Sequence, residues 1–168
     1  MIRLYTDGAW RKKEKAAGGA AVIIYENGRI ATIHDFLGDV TNNCAELKAI
    51  QMGLEEVLRS GRHKEINVTV YSDSTYAIGI LTKNWKAKAN RQLIQDIKAT
   101  MSKFASVEFT WVKGHGKDRY NRLADLLANI AIDQYFGRDI KYPLPMEQFK
   151  KKSQRRRPSQ KRVENISQ

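Results

Sequence analysis

Cysteine occurs once in the 168 residues, as Cys44, so no internal disulfide is available and a reducing, cytosol-like compartment is expected. No stretch approaches the ~20 continuous apolar residues that would span a bilayer. Arg3, Asp7 and the cluster from Arg11 to Lys15 interrupt the first thirty residues, which excludes an apolar leader there. Acidic residues are also scarce, 18 against 30 Lys and Arg, for a formal charge of +12. Clustered cations gain affinity for phosphates by releasing counterions, so a polyanionic partner is expected and a membrane partner is not.

What remains is the composition of a folded chain. Apolar residues make up 42%, with three Trp, seven Tyr and five Phe, enough for one domain with a real core and too little for two. The charge divides unevenly. From Leu144 to Gln168 eight Lys or Arg face two Glu, so this stretch carries +6 and residues 1 to 143 carry the other +6. After Tyr142-Pro143-Leu144-Pro145 apolar periodicity disappears, which predicts a domain over 1–143 and a basic, disordered tail over 144–168.

Within the domain, periodicity predicts the elements. Met1 to Asp7 alternates as a strand, and the apolar runs Ala20 to Tyr25 and Arg29 to Phe36 flank Glu26-Asn27-Gly28, a hairpin signal. Leu47, Ile50, Leu54, Val57 and Leu58 share one face of a helix that starts near Asn42 or Asn43 and ends at Gly61. Ile66 to Ser72 reads as a fourth strand, Ser74 to Leu81 as a short helix, and Leu93 to Phe104 as a longer one. Val107, Phe109 and Trp111 mark a fifth strand, and Asn121 to Tyr135 a last helix. The order is βββαβααβα, an α/β fold with a five-stranded mixed sheet flanked by helices.

Because acids are few, their positions carry information. Asp7 closes the first strand, Asp73 the fourth, Glu46 lies in the first turn of the first long helix, and Asp125 sits inside the last helix among leucines. Each has an ordinary alternative as a turn residue, a helix cap or a solvated surface group. Ligands gather outside strand ends, so Asp7 and Asp73 converge if their strands are neighbours. Clustered carboxylates repel one another unless cations occupy the cluster, and hard oxygen ligands suit Mg²⁺ or Mn²⁺. Two such ions about 4 Å apart support in-line attack on phosphorus.

Five motifs carry a family resemblance: Tyr5-Thr6-Asp7-Gly8-Ala9, Thr41-Asn42-Asn43-Cys44-Ala45-Glu46-Leu47, Tyr71-Ser72-Asp73-Ser74, Trp111-Val112-Lys113-Gly114-His115 and Asn121-Arg122-Leu123-Ala124-Asp125. In this order and in these contexts they resemble the type 1 ribonucleases H, across residues 1 to about 135. The resemblance implies a ribonuclease H-like fold and an endonuclease that cuts the RNA strand of an RNA/DNA hybrid, leaving 5′-phosphate and 3′-hydroxyl ends. It implies that Asp7, Glu46, Asp73 and Asp125 hold two Mg²⁺ ions, with Mn²⁺ as a substitute. Asp7 would lie between both ions, Glu46 on the leaving-group side near the ribose 2′-hydroxyl, and Asp73 and Asp125 on the nucleophile side. His115, on a Gly-rich loop, would assist metal exchange or product departure. Thr41, Asn42 and Asn43 would meet the minor groove, and Gly8 and Ser74 are further candidate substrate contacts; the alternative role of Thr41, Asn42 and Asn43 is to cap the helix that carries Glu46, and capping by Asn42 or Asn43 can coexist with substrate contact. His34 and His63 are read as structural or surface residues.

The chain departs from the family pattern where it holds substrate. Asp39 stands two residues before Thr41, where members often carry Arg for a DNA-strand phosphate. The loop after Asp7 offers basic residues from Arg11 to Lys15 in place of an Asn. Only Thr82 to Asn90 separates the middle helices, too short for a basic protrusion, although Trp85 among Lys83, Lys86, Lys88 and Arg91 suits contact with a sugar or base; the alternative is that Trp85 plugs the core. The basic tail is expected to supply affinity in place of the separate N-terminal hybrid-binding module of some members. A DNA-acting relative of the wider superfamily and a non-catalytic binder are the competing classes. Thr41-Asn42-Asn43 and the Lys113-Gly114-His115 loop favour the hybrid enzymes over the first, and four intact carboxylates argue against the second. A cytoplasmic monomer with no required protein partner is expected.

Overall fold

The computed structural model describes residues 1–61 and 63–140, so the tail expected over 144–168 lies outside the described residues. Five strands form one sheet in the order β3-β2-β1-β4-β5. Strands β1 (Ile2–Arg11), β2 (Ala16–Ile24) and β3 (Ile30–Gly38) form an antiparallel meander, while β4 (Asn67–Ser72) and β5 (Ser106–Trp111) add in parallel beyond β1. Helices α1 (Asn42–Arg59), α2 (Thr75–Thr82), α3 (Arg91–Met101) and α4 (Arg119–Tyr135) complete the expected order.

Alternation along the strands splits the core in two. Leu4, Ala21, Ile23, Val68 and Val70 face α1, α2 and α3, where they meet Leu47, Ile50, Leu54, Ile80 and Ile97. Tyr5, Ala20, Val22 and Ile24 face the opposite way, onto Leu123, Leu127, Ala128 and Ile132 of α4. A sheet covered on both faces leaves its strands apolar throughout, and all nine residues of β2 are buried.

Several boundaries differ from the sequence expectations for identifiable reasons. The first strand does not end at Asp7 but runs on to Arg11, because β2 begins at Ala16 and pairs with it as far as Arg11↔Ala16. The turn between them was not foreseen from the sequence. The segment Ala16-Ala17-Gly18-Gly19-Ala20-Ala21 lacks the bulky residues that announce a strand. Its smallness follows from α4, since a Cβ on Gly18 would lie 2.1 Å from the Ala128 carbonyl oxygen.

The β2–β3 hairpin forms where Asn27-Gly28 predicts it, with Asn27 Oδ1 accepting from the Arg29 amide and Gly28 at φ +78°. Helix α1 is capped by Thr41, whose Oγ1 accepts from the Cys44 amide at 3.2 Å, rather than by Asn42 or Asn43. The helix therefore starts at Asn42, which moves Glu46 from the first turn into the second. Helix α4 starts at Arg119, two residues earlier than its apolar period suggests, because Asp118 Oδ1 caps the amides of Tyr120 and Asn121. Helix α3 stops at Met101; Phe104 is buried but lies beyond it.

Candidate metal and nucleic-acid site

The parallel pairing of β1 with β4 runs from Ile2↔Val68 to Tyr5↔Tyr71, and the same register continued two residues sets Asp7 opposite Asp73. Asp7 is held inside a strand because β2 pairs on its other side, at Ala20; Asp73 follows the last residue of β4. The two carboxylates thus share the end of a crevice between parallel strands.

Glu46 reaches this crevice from α1, which crosses β1 at Gly8. A Cβ on Gly8 would sit 2.5 Å from the Glu46 amide nitrogen and 2.6 Å from the Ala45 carbonyl carbon, so only glycine admits the helix this close. Ligand oxygens of Asp7, Glu46 and Asp73 lie within 4.8 Å of one another. Asp125 comes from α4, on the opposite face of the sheet. Asn129, one turn on, donates to its Oδ1 at 3.2 Å, and Arg11 donates in turn to Asn129 Oδ1. The cleft so formed, about 200 Å³, is also lined by Gly8, Asn42, His115, Asn121 and Arg122.

Electrostatics oppose this assembly in the absence of cations. Burial, then the charges of Glu46, Asp73 and Asp125, push Asp7 up from 3.8 to about 9. Burial and the Asp73 charge raise Glu46 from 4.5 to about 8, although the Gly8 amide donates to it. Burial raises Asp73 as well. Glu46 Oε2 is buried with no hydrogen-bond partner among the described residues, and so is Asn121 Oδ1. Buried oxygens normally find partners. Convergent carboxylates that repel, with one oxygen lacking a partner, fit hard divalent cations; Asp7, Glu46 and Asp73 form the group able to hold one, and Asp125 borders it.

His115 stands at the tip of a tight turn, in which the Gly116 amide donates to the Lys113 carbonyl. Its φ is +52° and its side chain is 87% exposed, with Nδ1 3.5 Å from Asp125 Oδ2. Gly114 lets the loop lie against the site, since a Cβ there would be 2.5 Å from Asp73 Oδ2.

The other sequence candidates fall in different places. Asn42 lines the cleft, while Asn43 is exposed beside it and Thr41 uses its hydroxyl as the α1 cap. Ser74 caps α2, accepting from the Ala77 amide at 3.1 Å, and is not part of the cleft wall. Trp85 does not plug the core: it is 50% exposed and lies flat over Gly79, whose added Cβ would fall 2.3 to 2.5 Å from the ring. Arg11, counted among the free basic residues after Asp7, is instead tied to Asp133 at 2.6 Å, part of a cluster with Glu14 and Arg138. His34 pairs with Gln134 across 2.9 Å. Sequence reasoning gave no role to Asn121, Arg122 or Asn129, although all three share helical spacing with Asp125, which was the available signal.

A mixed five-stranded sheet with helices on both faces, and buried carboxylates at the end of adjacent parallel strands, defines an α/β protein with a group of carboxylates able to hold a divalent cation. Comparison with known proteins gives the family: the RNase H family model matches residues 1–133, and the chain belongs to that family. It is 32% identical over 147 residues to the ribonuclease H of Caldicellulosiruptor saccharolyticus, spanning 79% of this chain and 97% of that one. It is 33% identical over 146 residues to the ribonuclease H of Thermoanaerobacter sp., spanning 79% and 90%. Among solved structures it resembles RNase H1 of Halobacterium salinarum, with TM-score 0.69, 28% identity and coverage of 79% of this chain and 98% of that one. It also resembles LC11-RNase H1 solved in complex with an RNA/DNA hybrid, with TM-score 0.71, 26% identity and coverage of 81% and 99%.

Proposed function

We propose that this chain hydrolyses the RNA strand of RNA/DNA hybrids at a site holding two divalent cations, Mg²⁺ by preference, and releases 5′-phosphate and 3′-hydroxyl ends. The observation that carries this reading is the convergence of buried Asp7 and Glu46 with Asp73 beside an unpartnered Glu46 oxygen, within a family of ribonucleases H. The related structure with a bound hybrid supports the substrate class.

Asp7, Glu46, Asp73 and Asp125 would hold the ions; divalent cations there would polarise a phosphate oxygen, make water more acidic and stabilise a leaving oxygen. The chain's own contribution is arrangement. Gly8 and Gly114 let α1 and the His115 loop close on the carboxylates, and Asn129 fixes the Asp125 carboxylate through Oδ1. Burial and neighbouring carboxylates hold Asp7 and Glu46 protonated near neutrality, and both would have to release those protons to serve as cation ligands. His115, exposed and flanked by glycines, is placed to assist metal exchange or product departure. Asn42 at the cleft, with Asn43 beside it, meets the ribose side, where a 2′-hydroxyl distinguishes RNA from DNA. Trp85 offers a stacking face, and the 144–168 stretch adds non-specific phosphate affinity. The single cysteine supports a reducing compartment, and we assign the protein to the cytoplasm as a monomer. No helix among the described residues is long and apolar enough to cross a membrane.

Labelled hybrid, double-stranded RNA, double-stranded DNA and single strands, offered with Mg²⁺, test the reading. RNA within the hybrid should be the one strand cut, and Asp73→Asn should bind without cutting. Equal cutting of DNA, or activity that survives Asp73→Asn, refutes it.

A further inference from the structure

Arg122 is the one Lys or Arg among the described residues that line the carboxylate cleft. It is exposed, and among the described residues no hydrogen bond or ion pair involves its side chain, although its backbone amide donates to the Asp118 carbonyl. That is unusual beside so many acids. Helical spacing puts it one turn before Asp125 on α4, an i,i+3 pair that would normally attract. Asp125 is instead engaged by Asn129 through Oδ1 and by His115 through Oδ2, so the guanidinium at the cleft wall is left for something from outside.

The physical need for such a group is clear. The cleft wall carries four carboxylates, and Asp39 adds another anion on the chain leading into α1. An incoming phosphodiester backbone meets an acid-lined approach until cations are bound. A guanidinium on the α4 wall offsets it and, unlike Lys, can present two parallel N–H donors to two phosphate oxygens. Asn121 stands next to it, 2% exposed and with Oδ1 unpartnered among the described residues.

We propose that Arg122 grips a backbone phosphate next to the scissile bond, making the first turn of α4 the substrate-holding wall opposite the Asn42 loop. This inference rests on the hybrid-nuclease reading above. It assigns phosphate holding to α4 in a chain whose other wall carries Asp39.

The test is binding of RNA/DNA hybrid with Mg²⁺ in an Asp73→Asn background, comparing Arg122, Arg122→Gln and Arg122→Lys across salt concentrations. Arg122→Gln should lose about tenfold in affinity and reduce the log–log salt slope by about 0.9, the value for one phosphate contact. Arg122→Lys should restore the slope but only part of the affinity. A hybrid set carrying single neutral methylphosphonates identifies the phosphate: one position should weaken the Arg122 protein about tenfold and leave Arg122→Gln unaffected. An unchanged slope in Arg122→Gln, or equal sensitivity of both proteins at every position, overturns the proposal. Cutting of hybrid by the wild-type protein is scored separately, so failure of the nuclease reading is distinguishable from failure of the Arg122 contact.

Discussion

Replacing Glu46 with Gln should make the cation-free protein more stable above about pH 4.5, with an advantage that grows until about pH 8. In the unfolded chain Glu46 ionises near 4.5, whereas the fold holds its proton to about 8. The stability tied to that proton is fully present below pH 4.5 and is lost as pH rises to about 8. Ionising the carboxyl inside the cleft at pH 8.5 costs on the order of 2–3 kcal/mol, less than complete burial implies because the crevice is open to water. Gln cannot ionise. Its carbonyl keeps the Gly8 amide bond, and its NH₂ donates toward the Asp7 and Asp73 carboxylates. At about 3 °C per kcal/mol for a domain of this size, Glu46→Gln should melt about 6–9 °C above wild type at pH 8.5 in chelator. At pH 4.5 the two should melt together. Added Mg²⁺ should then raise the wild-type Tm and leave the variant's nearly unchanged, since the oxygen that needs a cation is gone. Calorimetry at the two pH values decides it. An offset equal at both pH values, or a variant less stable at pH 8.5, would refute the reasoning that burial and mutual repulsion govern this site.

Two glycines test how the site is held. Gly114→Ala places a methyl 2.5 Å from Asp73 Oδ2 and should cut hybrid turnover at least tenfold with a Tm within about 2 °C of wild type, read by steady-state kinetics and melting. Gly79→Ala drives a methyl into the Trp85 ring and should lift it off α2. A red shift in tryptophan emission together with weaker hybrid affinity is expected, and unchanged affinity would remove Trp85 from the substrate path.

The sequence by itself determined the order of elements and the identity of the carboxylates. Both are local or periodic facts: alternation marks β4, a 3.6-residue period marks α1 and α4, and acids in a basic chain stand out at Asp7, Glu46, Asp73 and Asp125. Where a strand is made of Ala and Gly, as in β2, the pattern is silent, because those residues are small to suit α4 and not to suit a strand. The cap of α1 stays open in the sequence for a similar reason: Thr41, Asn42 and Asn43 all can cap, and the backbone conformation chooses Thr41. Only the tertiary structure decided that Asp7 and Asp73 share a register, that Arg11 is bound to Asp133 while the Arg122 side chain has no such partner among the described residues, and that Trp85 rests on Gly79 instead of filling the core. Each of these depends on a neighbour distant along the chain. Spacing along a sequence names candidate ligands, but burial, repulsion and available partners are properties of what the fold brings beside them.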